Sequence, residues 1–216
     1  LTANATPGIV ADLIVEAGGT VMFSETEEIM GAEHILAERA ASPEVAADLM
    51  RAVRECEKLG DFLGMQIIPL GPDNIDGGLT TTEEKSLGAV RKGGTSPLQQ
   101  VVGYAERPTK KGLIFMDAPA PGAENITSIA ASGTQMLLFN TGVGNPIANA
   151  ISPTLKITGN HVTADHFSDN IDVDVSAIIT DGMSLPEAGE ILYQAVIEVA
   201  NGRRTKSEIL GDTEIT

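Results

Sequence analysis

The sequence has no tryptophan, and aromatic side chains make up only 3% of it. Its core must therefore be built from Ala, Val, Ile, Leu and Met, which suits helices packed on a mostly parallel sheet. Cysteine is nearly absent too. Cys56 is the one thiol in 216 residues, which excludes a disulfide framework and a four-thiolate metal site from this chain and fits a reduced, cytoplasmic setting. Positive charge is scarce: 14 Lys and Arg against 30 Asp and Glu leave a net charge of -16. That is the wrong sign for gripping nucleic acid or an anionic membrane surface. No apolar run reaches the length of a membrane span, and no basic-plus-apolar leader is present. The expected partner is a small molecule. If it is an anion, the few basic residues near a site become informative.

What is present is ordinary for a globular protein: 42% apolar and 20% charged residues, in a length that allows one large α/β domain. The chain opens at Leu1 and enters a turn at Ala5-Thr6-Pro7-Gly8, then a helix from Ile9 to Ala17. This start suggests a C-terminal fragment of a longer protein, with part of the active site upstream. After Gly18-Gly19 comes the apolar run TVMFSE, predicted as a strand. The order recurs: LIFMDAP, the helix ENITSIAAS, then QMLLFNTG. Short apolar runs punctuated by Gly and alternating with helices mark βαβ units. LKITGN and IDVDVSAII add two further strand patterns. The predicted fold is a single Rossmann-like α/β domain over residues 1–216, its mostly parallel sheet flanked by helices, with a helical subdomain around 32–70. Two helices are expected there, Ala32 to Ala40 and Pro43 to Leu63, the second capped by Ser42. Ser184 is expected to cap a long amphipathic helix that Gly202 ends.

In a parallel sheet, ligands collect beyond the carboxyl ends of strands. Three predicted strand ends carry polar groups: Ser24-Glu25, Asp117 and Asn140-Thr141-Gly142. The alternative for each is a helix cap or a turn. The stretch SETEEIMGAEH offers Glu25, Glu27, Glu28, Glu33 and His34, a donor set suited to Mg, Mn or Fe(II). Glu25 is favoured because it ends a buried strand. The segment from Asn74 to Lys85 is the most chemically loaded. Gly77 and Gly78 allow close backbone approach, and Thr80 and Thr81 stand at a helix N-terminus, a natural carboxylate seat. Glu84 and Lys85 follow in the first turn. A lysine there opposes the helix dipole, a misfit expected to depress its pKa toward that of a general base. The plainer alternative is a threonine capping box. Lys92, Gly94 and Thr95 close the same helix and could bind a carboxylate. Gly142-Val143-Gly144 lacks the rest of any nucleotide fingerprint. Asp172 and Asp174 are expected on one strand face, either as metal ligands or as solvated side chains.

FSETEEIMGAEHILAERA, NIDGGLTTTEEKSLGAVRKGGTSPLQQVVGYAE, KGLIFMDAPAPGAENIT, LLFNTGVGNP, DNIDVDVSAIITDG and ANGRRTKSE occur here in collinear order. Together they resemble the C-terminal region of the altronate/galactarate dehydratase family, which includes the large subunit of sulfolactate sulfo-lyase. The resemblance implies a hydro-lyase that dehydrates a 2,3-dihydroxy sugar acid to a 2-keto-3-deoxy acid. It also implies a divalent metal, Fe(II) first and Mn or Mg next, an N-terminal segment or small subunit, and a homo-oligomer. The isolated chain is expected to be inactive. Expected roles are Lys85 in proton transfer with Glu84 beside it, and Glu25 and Asp172 as metal ligands. Gly77, Gly78, Thr80, Thr81, Lys92, Thr95, Thr141 and Gly142 are expected to line the substrate. One departure stands out. Where many family members read Thr-Thr-Gly-Arg-Gly, this chain reads Asn140-Thr141-Gly142-Val143-Gly144, without the arginine that could clamp a distal carboxylate. Altronate and galactarate themselves are then less expected than another hydroxy acid or sulfolactate. The alternatives are sulfo-lyase activity or a non-catalytic structural or regulatory role.

Overall fold

The computed structural model describes residues 2–64, 70–76 and 79–212. Its first helix, α1 (Thr2–Glu16), continues through Pro7, where the sequence predicts a turn. Past the first turn proline forfeits one hydrogen bond and crowds the carbonyl of Ala3, a cost that burial of Val10 and Ala11 offsets. The chain continues through β1 (Thr20–Phe23), α2 (Thr26–Ile29), α3 (Glu33–Glu38), α4 (Pro43–Leu63), α5 (Pro72–Asp76), α6 (Thr82–Arg91), β2 (Leu98–Val102) and β3 (Gly112–Met116). Then follow α7 (Gly122–Ala131), β4 (Leu137–Asn140), β5 (Thr154–Thr158), α8 (His161–His166), β6 (Val173–Asp174), α9 (Ala177–Thr180), α10 (Leu185–Ala200) and α11 (Lys206–Leu210).

The predicted α/β class holds, and among the described residues every strand pairing is parallel. The strands form two sheets of three, in the orders β1-β3-β2 and β4-β5-β6. Strand β2 escapes the sequence reading because Gln99 and Gln100 interrupt its apolar run. The predicted strand over IDVDVSAII shrinks to Val173–Asp174, after which α9 takes over. The predicted caps are present: the Ser42 hydroxyl accepts from the Val45 amide, and Ser184 forms a capping box with Glu187.

Three apolar clusters hold the layers together. Phe23, Leu98, Leu113 and Phe115 pack with Leu36, Leu49 and Val53 from α3 and α4. Met22, Ile114 and Met116 pack with Ile126 and Ile129 of α7 and with Leu137 and Phe139 of β4. Val10, Leu155, Ile157 and the inner face of α10 form the third, joined by Met136 and Leu138. Side chains alternate across a strand, so β4 sends Leu137 and Phe139 toward α7 and Leu138 toward α1 and α10. The two helices approach closely at Gly189, where a Cβ would stand 2.6 Å from Ile9. At Gly8 a Cβ would lie 2.1 Å from the Arg91 carbonyl, so glycine is required for α1 to reach α6.

Lys156 is fully buried on β5. Its ammonium donates to the Pro146 carbonyl at 2.7 Å and to Asn170 Oδ1 at 2.9 Å, with Asp212 at 3.6 Å. A buried cation has to recover its hydration from protein oxygens, and here it draws the 141–147 loop, the turn before β6 and the C-terminal segment onto one strand.

Between β1 and β4 lies a cavity of about 810 Å³, lined along Thr20–Glu25 and Gln135–Asn140. The side chains of Ile14, Ile126, Ile129 and Val196 wall it, and Lys92, Asn125 and Asn140 are among its polar residues.

Candidate active site

Glu25 leaves β1 with φ 78, in the left-handed region that few non-glycine residues occupy. That turn starts α2, which carries Glu27 and Glu28. Seven residues separate Lys85 and Lys92 on and just beyond α6, two helical turns, so both point the same way. Glu28 bridges them. Its Oε1 lies 3.3 Å from the Lys85 ammonium and its Oε2 3.2 Å from that of Lys92. Lys92 also donates to Glu25, and Lys85 donates to Asn74 Oδ1 at 3.2 Å. All four charged side chains are largely buried, 15–22% exposed. The misfit of Lys85 with the α6 dipole is offset by Glu28 at the same point.

Burial pushes the Glu25 carboxyl up to about 7; Lys92 pulls against that, and Glu28 adds repulsion. Glu28 is buried as well, but Lys92 and Lys85 together hold it below the usual carboxylate range. Lys92 is held above its ordinary value, the two glutamates outweighing the cost of burial. A second acidic group lies alongside. Burial raises Glu27, whose Oε2 has no partner among the described residues, and Asp117 accepts from Thr26 Oγ1 at 2.7 Å. Beside them the Cys56 thiol is pushed up to about 11 by burial, then by Glu27 and Asp117.

The structure brings together Glu25, Lys85 and Lys92 of the residues expected from sequence. Glu28, offered from sequence only as one of five possible metal donors, and Asn74, at the start of the loaded segment, are the groups that join them. The others stand apart. Glu84 Oε2 accepts from the Thr80 amide and hydroxyl at 3.0 and 2.8 Å, and Thr81 accepts from the Glu84 amide at 3.1 Å. This capping arrangement was the plainer alternative. The Thr95 amide and hydroxyl donate to Asp12, as do those of Ser96. Burial would raise the Asp12 carboxyl, and these hydrogen bonds reverse that shift. Thr141 and Gly142 follow β4 in the other sheet, where the Gly142 carbonyl accepts from Asn160 and Thr163. Gly77 and Gly78 lie outside the described residues.

The two expected metal ligands do not share a seat. Glu25 is occupied by Lys92, and Asp172 accepts from the Lys156 and Lys206 amides at 2.9 and 2.8 Å. Among the described residues no group of three or more His, Cys, Asp or Glu side chains could hold a metal ion. The described residues by themselves therefore present no metal-binding donor set, and no step below runs through a metal. Nor is any described helix long and apolar enough to cross a membrane.

Folded Glu25 keeps its proton up to about pH 7, whereas an unfolded glutamate loses it near 4.5. Between those values the folded state holds more protons, so this group's contribution to stability is full below the lower value and is lost as pH rises through the upper one. Glu25→Gln mimics the protonated form and should escape that loss. The urea midpoint of the native protein, relative to the variant, is expected to fall between about pH 5 and about pH 8. A difference that stays constant over this range would mean that Glu25 ionises freely.

The D-galactarate/altronate dehydratase C-terminal family model matches residues 1–216. The chain is 40% identical to the (2R)-sulfolactate sulfo-lyase subunit beta of Chromohalobacter salexigens, over 98% of this chain and 56% of that protein. It is 34% identical to the galactarate dehydratase (L-threo-forming) of Escherichia coli, over 94% of this chain and 39% of that protein. It is 32% identical to the altronate dehydratase of Escherichia coli, over 96% of this chain and 42% of that protein. The chain thus spans between two-fifths and just over half of these relatives' lengths.

Proposed function

Because this chain belongs to the D-galactarate/altronate dehydratase C-terminal family, we propose that it forms part of a hydro-lyase that removes water from a hydroxylated carboxylate. The observation that carries the proposal is the Glu25–Lys92–Glu28–Lys85 chain of contacts, two ammoniums gathered at one strand end of a protein with net charge -16.

The α-proton of a carboxylate is weakly acidic, and its loss places charge on the substrate's carboxylate oxygens. In our reading Glu25, raised to about 7, is matched to accept that proton near neutral pH. As the C2–H bond breaks, negative charge moves from Glu25 to the substrate, where the lysines stabilise it. Lys85, fixed by Glu28 and Asn74, then donates a proton to the departing C3 hydroxyl. The C3–O bond breaks and water leaves. The resulting enol takes up a proton at C3 from solvent, gives up its hydroxyl proton to solvent and becomes the 2-keto acid; Glu25 releases its proton and Lys85 regains one through solvent, which resets the site. Gly77 and Gly78 precede Lys85 in the chain and remain the proposed carboxylate seat, whereas Thr80 and Thr81 are engaged with Glu84 at the start of α6.

A second reading is sulfite elimination from a sulfonated hydroxy acid. It is favoured by the 40% identity to a sulfo-lyase subunit and by Val143, at the position where the resemblance led to the expectation of an arginine. The same proton abstraction would serve it, with sulfite leaving in place of water.

The test is turnover by the complete polypeptide, with any partner subunit, against aldonic acids, aldaric acids and sulfolactate, with Fe(II), Mn(II) or no added metal. A 2-keto acid from one sugar acid is expected. Sulfite release would select the second reading. Folded protein that turns over no member of the panel would overturn both.

A further inference from the structure

The cavity between β1 and β4 has the walls of a strand position. Its two sides are backbone edges: among the described residues β1 pairs with β3 and β4 with β5, and neither has a partner on its other side. Its two faces are apolar helices, with Ile14 of α1 and Val196 of α10 on one and Ile126 and Ile129 of α7 on the other. A central strand of a parallel sheet needs apolar cover on both faces in this way. Open, unpaired edges this apolar are a liability that proteins otherwise blunt.

Helix α1 fixes the direction of the slot. It starts beside the carboxyl ends of β4 and β5, where Asn140 donates to Asn4 and Ala3 crowds Gly159. It packs against β4 and β1 along its length and delivers the chain to the start of β1. The two edges therefore point the same way. A strand parallel to both would finish at the rim where α1 begins, and α1 would be its crossover to β1, as parallel pairing requires.

We propose that a β-strand from the polypeptide ahead of α1 fills this slot, parallel to β1 and β4, and joins the two sheets into one in the order β2-β3-β1-inserted strand-β4-β5-β6. The relatives carry the length to supply it, since this chain spans 56%, 39% and 42% of three of them. The inserted strand carries apolar side chains on both faces. Its carboxyl end arrives beside Glu25, Lys92 and Asn140, so the loop that leaves it completes the rim of the candidate site.

The test is amide-resolved hydrogen exchange on the complete polypeptide, free of ligand and dilute enough to be unassociated. The amides of Thr20–Phe23 and Leu137–Asn140 that point away from β3 and β5 are expected to be protected. Their exchange should be on the order of a hundredfold or more slower than at an open edge. Exchange at open-edge rates would overturn the proposal. Protection that appears only on adding a hydroxy acid would overturn it too, making the cavity a ligand pocket. Protection that appears only when the protein self-associates would assign the slot to a second copy and likewise overturn it. None of these outcomes depends on which acid the enzyme dehydrates.

Discussion

Lys85→Ala in the complete polypeptide is expected to lower kcat by about a hundred- to ten-thousandfold, the range that a positioned proton-transfer group contributes. Its effect on stability should be small by comparison. Among the described residues the variant gives up a contact with Glu28 at 3.3 Å and one with Asn74 at 3.2 Å, and Glu28 keeps Lys92. A cost of about 1 kcal/mol follows from partly buried polar contacts of this kind. Lys85→Arg keeps the charge but moves the donors onto a rigid plane. It should recover stability more fully than turnover. Steady-state kinetics and urea midpoints on both variants separate the roles. If alanine leaves kcat within about twofold and lowers only the midpoint, Lys85 is structural, and the proton for the departing hydroxyl comes from another group.

Lys92→Met should show the opposite balance, with stability affected most. Lys92 is the ammonium between Glu25 and Glu28. Without it two carboxylates, each about four-fifths buried, face one another with only the Lys85 contact to Glu28 left. Removing one partner of a buried ion pair costs about 3–5 kcal/mol. Residual exposure and the remaining Lys85 contact reduce that here to about 2–4 kcal/mol. The loss should grow with pH, because Glu25 can relieve the repulsion by keeping its proton in acid but not in base. Adding Glu25→Gln to Lys92→Met should recover part of the stability, most of it near pH 8. A cost below about 1 kcal/mol at both ends of the range, or a double variant no better than the single, would mean that the carboxylates are more hydrated than their burial indicates.

Local features of the fold were legible in the sequence. The apolar runs of β1, β3, β4 and β5 were bounded by glycines, and Ser42 and Ser184 announced their helices through capping, which reaches only three residues along the chain. The candidate site was legible in half. Lys85 and Lys92 declare a common face by their spacing, and Glu25 stood out at a strand end. Glu28 did not, because a run of glutamates looks like a solvated helix start until Lys92, 64 positions on, is folded against it. The same limit hid Asp12, whose grip on Thr95 spans 83 positions and takes up groups that looked free to meet a substrate. Glu84 drew attention for its position, yet its partner Thr80 was four residues away and the capping pattern was already visible. The division into two sheets and the cavity between them depend on how strands pair across the whole chain, which a local pattern does not encode.

Cys56 has a practical consequence at the bench. With its thiol pushed up to about 11, roughly one molecule in ten thousand carries the reactive thiolate at neutral pH, against a few per cent for an ordinary exposed cysteine. Maleimide reagents discriminate by that fraction. A cysteine introduced on the surface, for instance at Ile151 or Ile179, which are 79% and 69% exposed, should therefore take a fluorophore or spin label in the native protein while Cys56 stays in place. Distances across the two sheets can then be followed without first rebuilding the packing around α4.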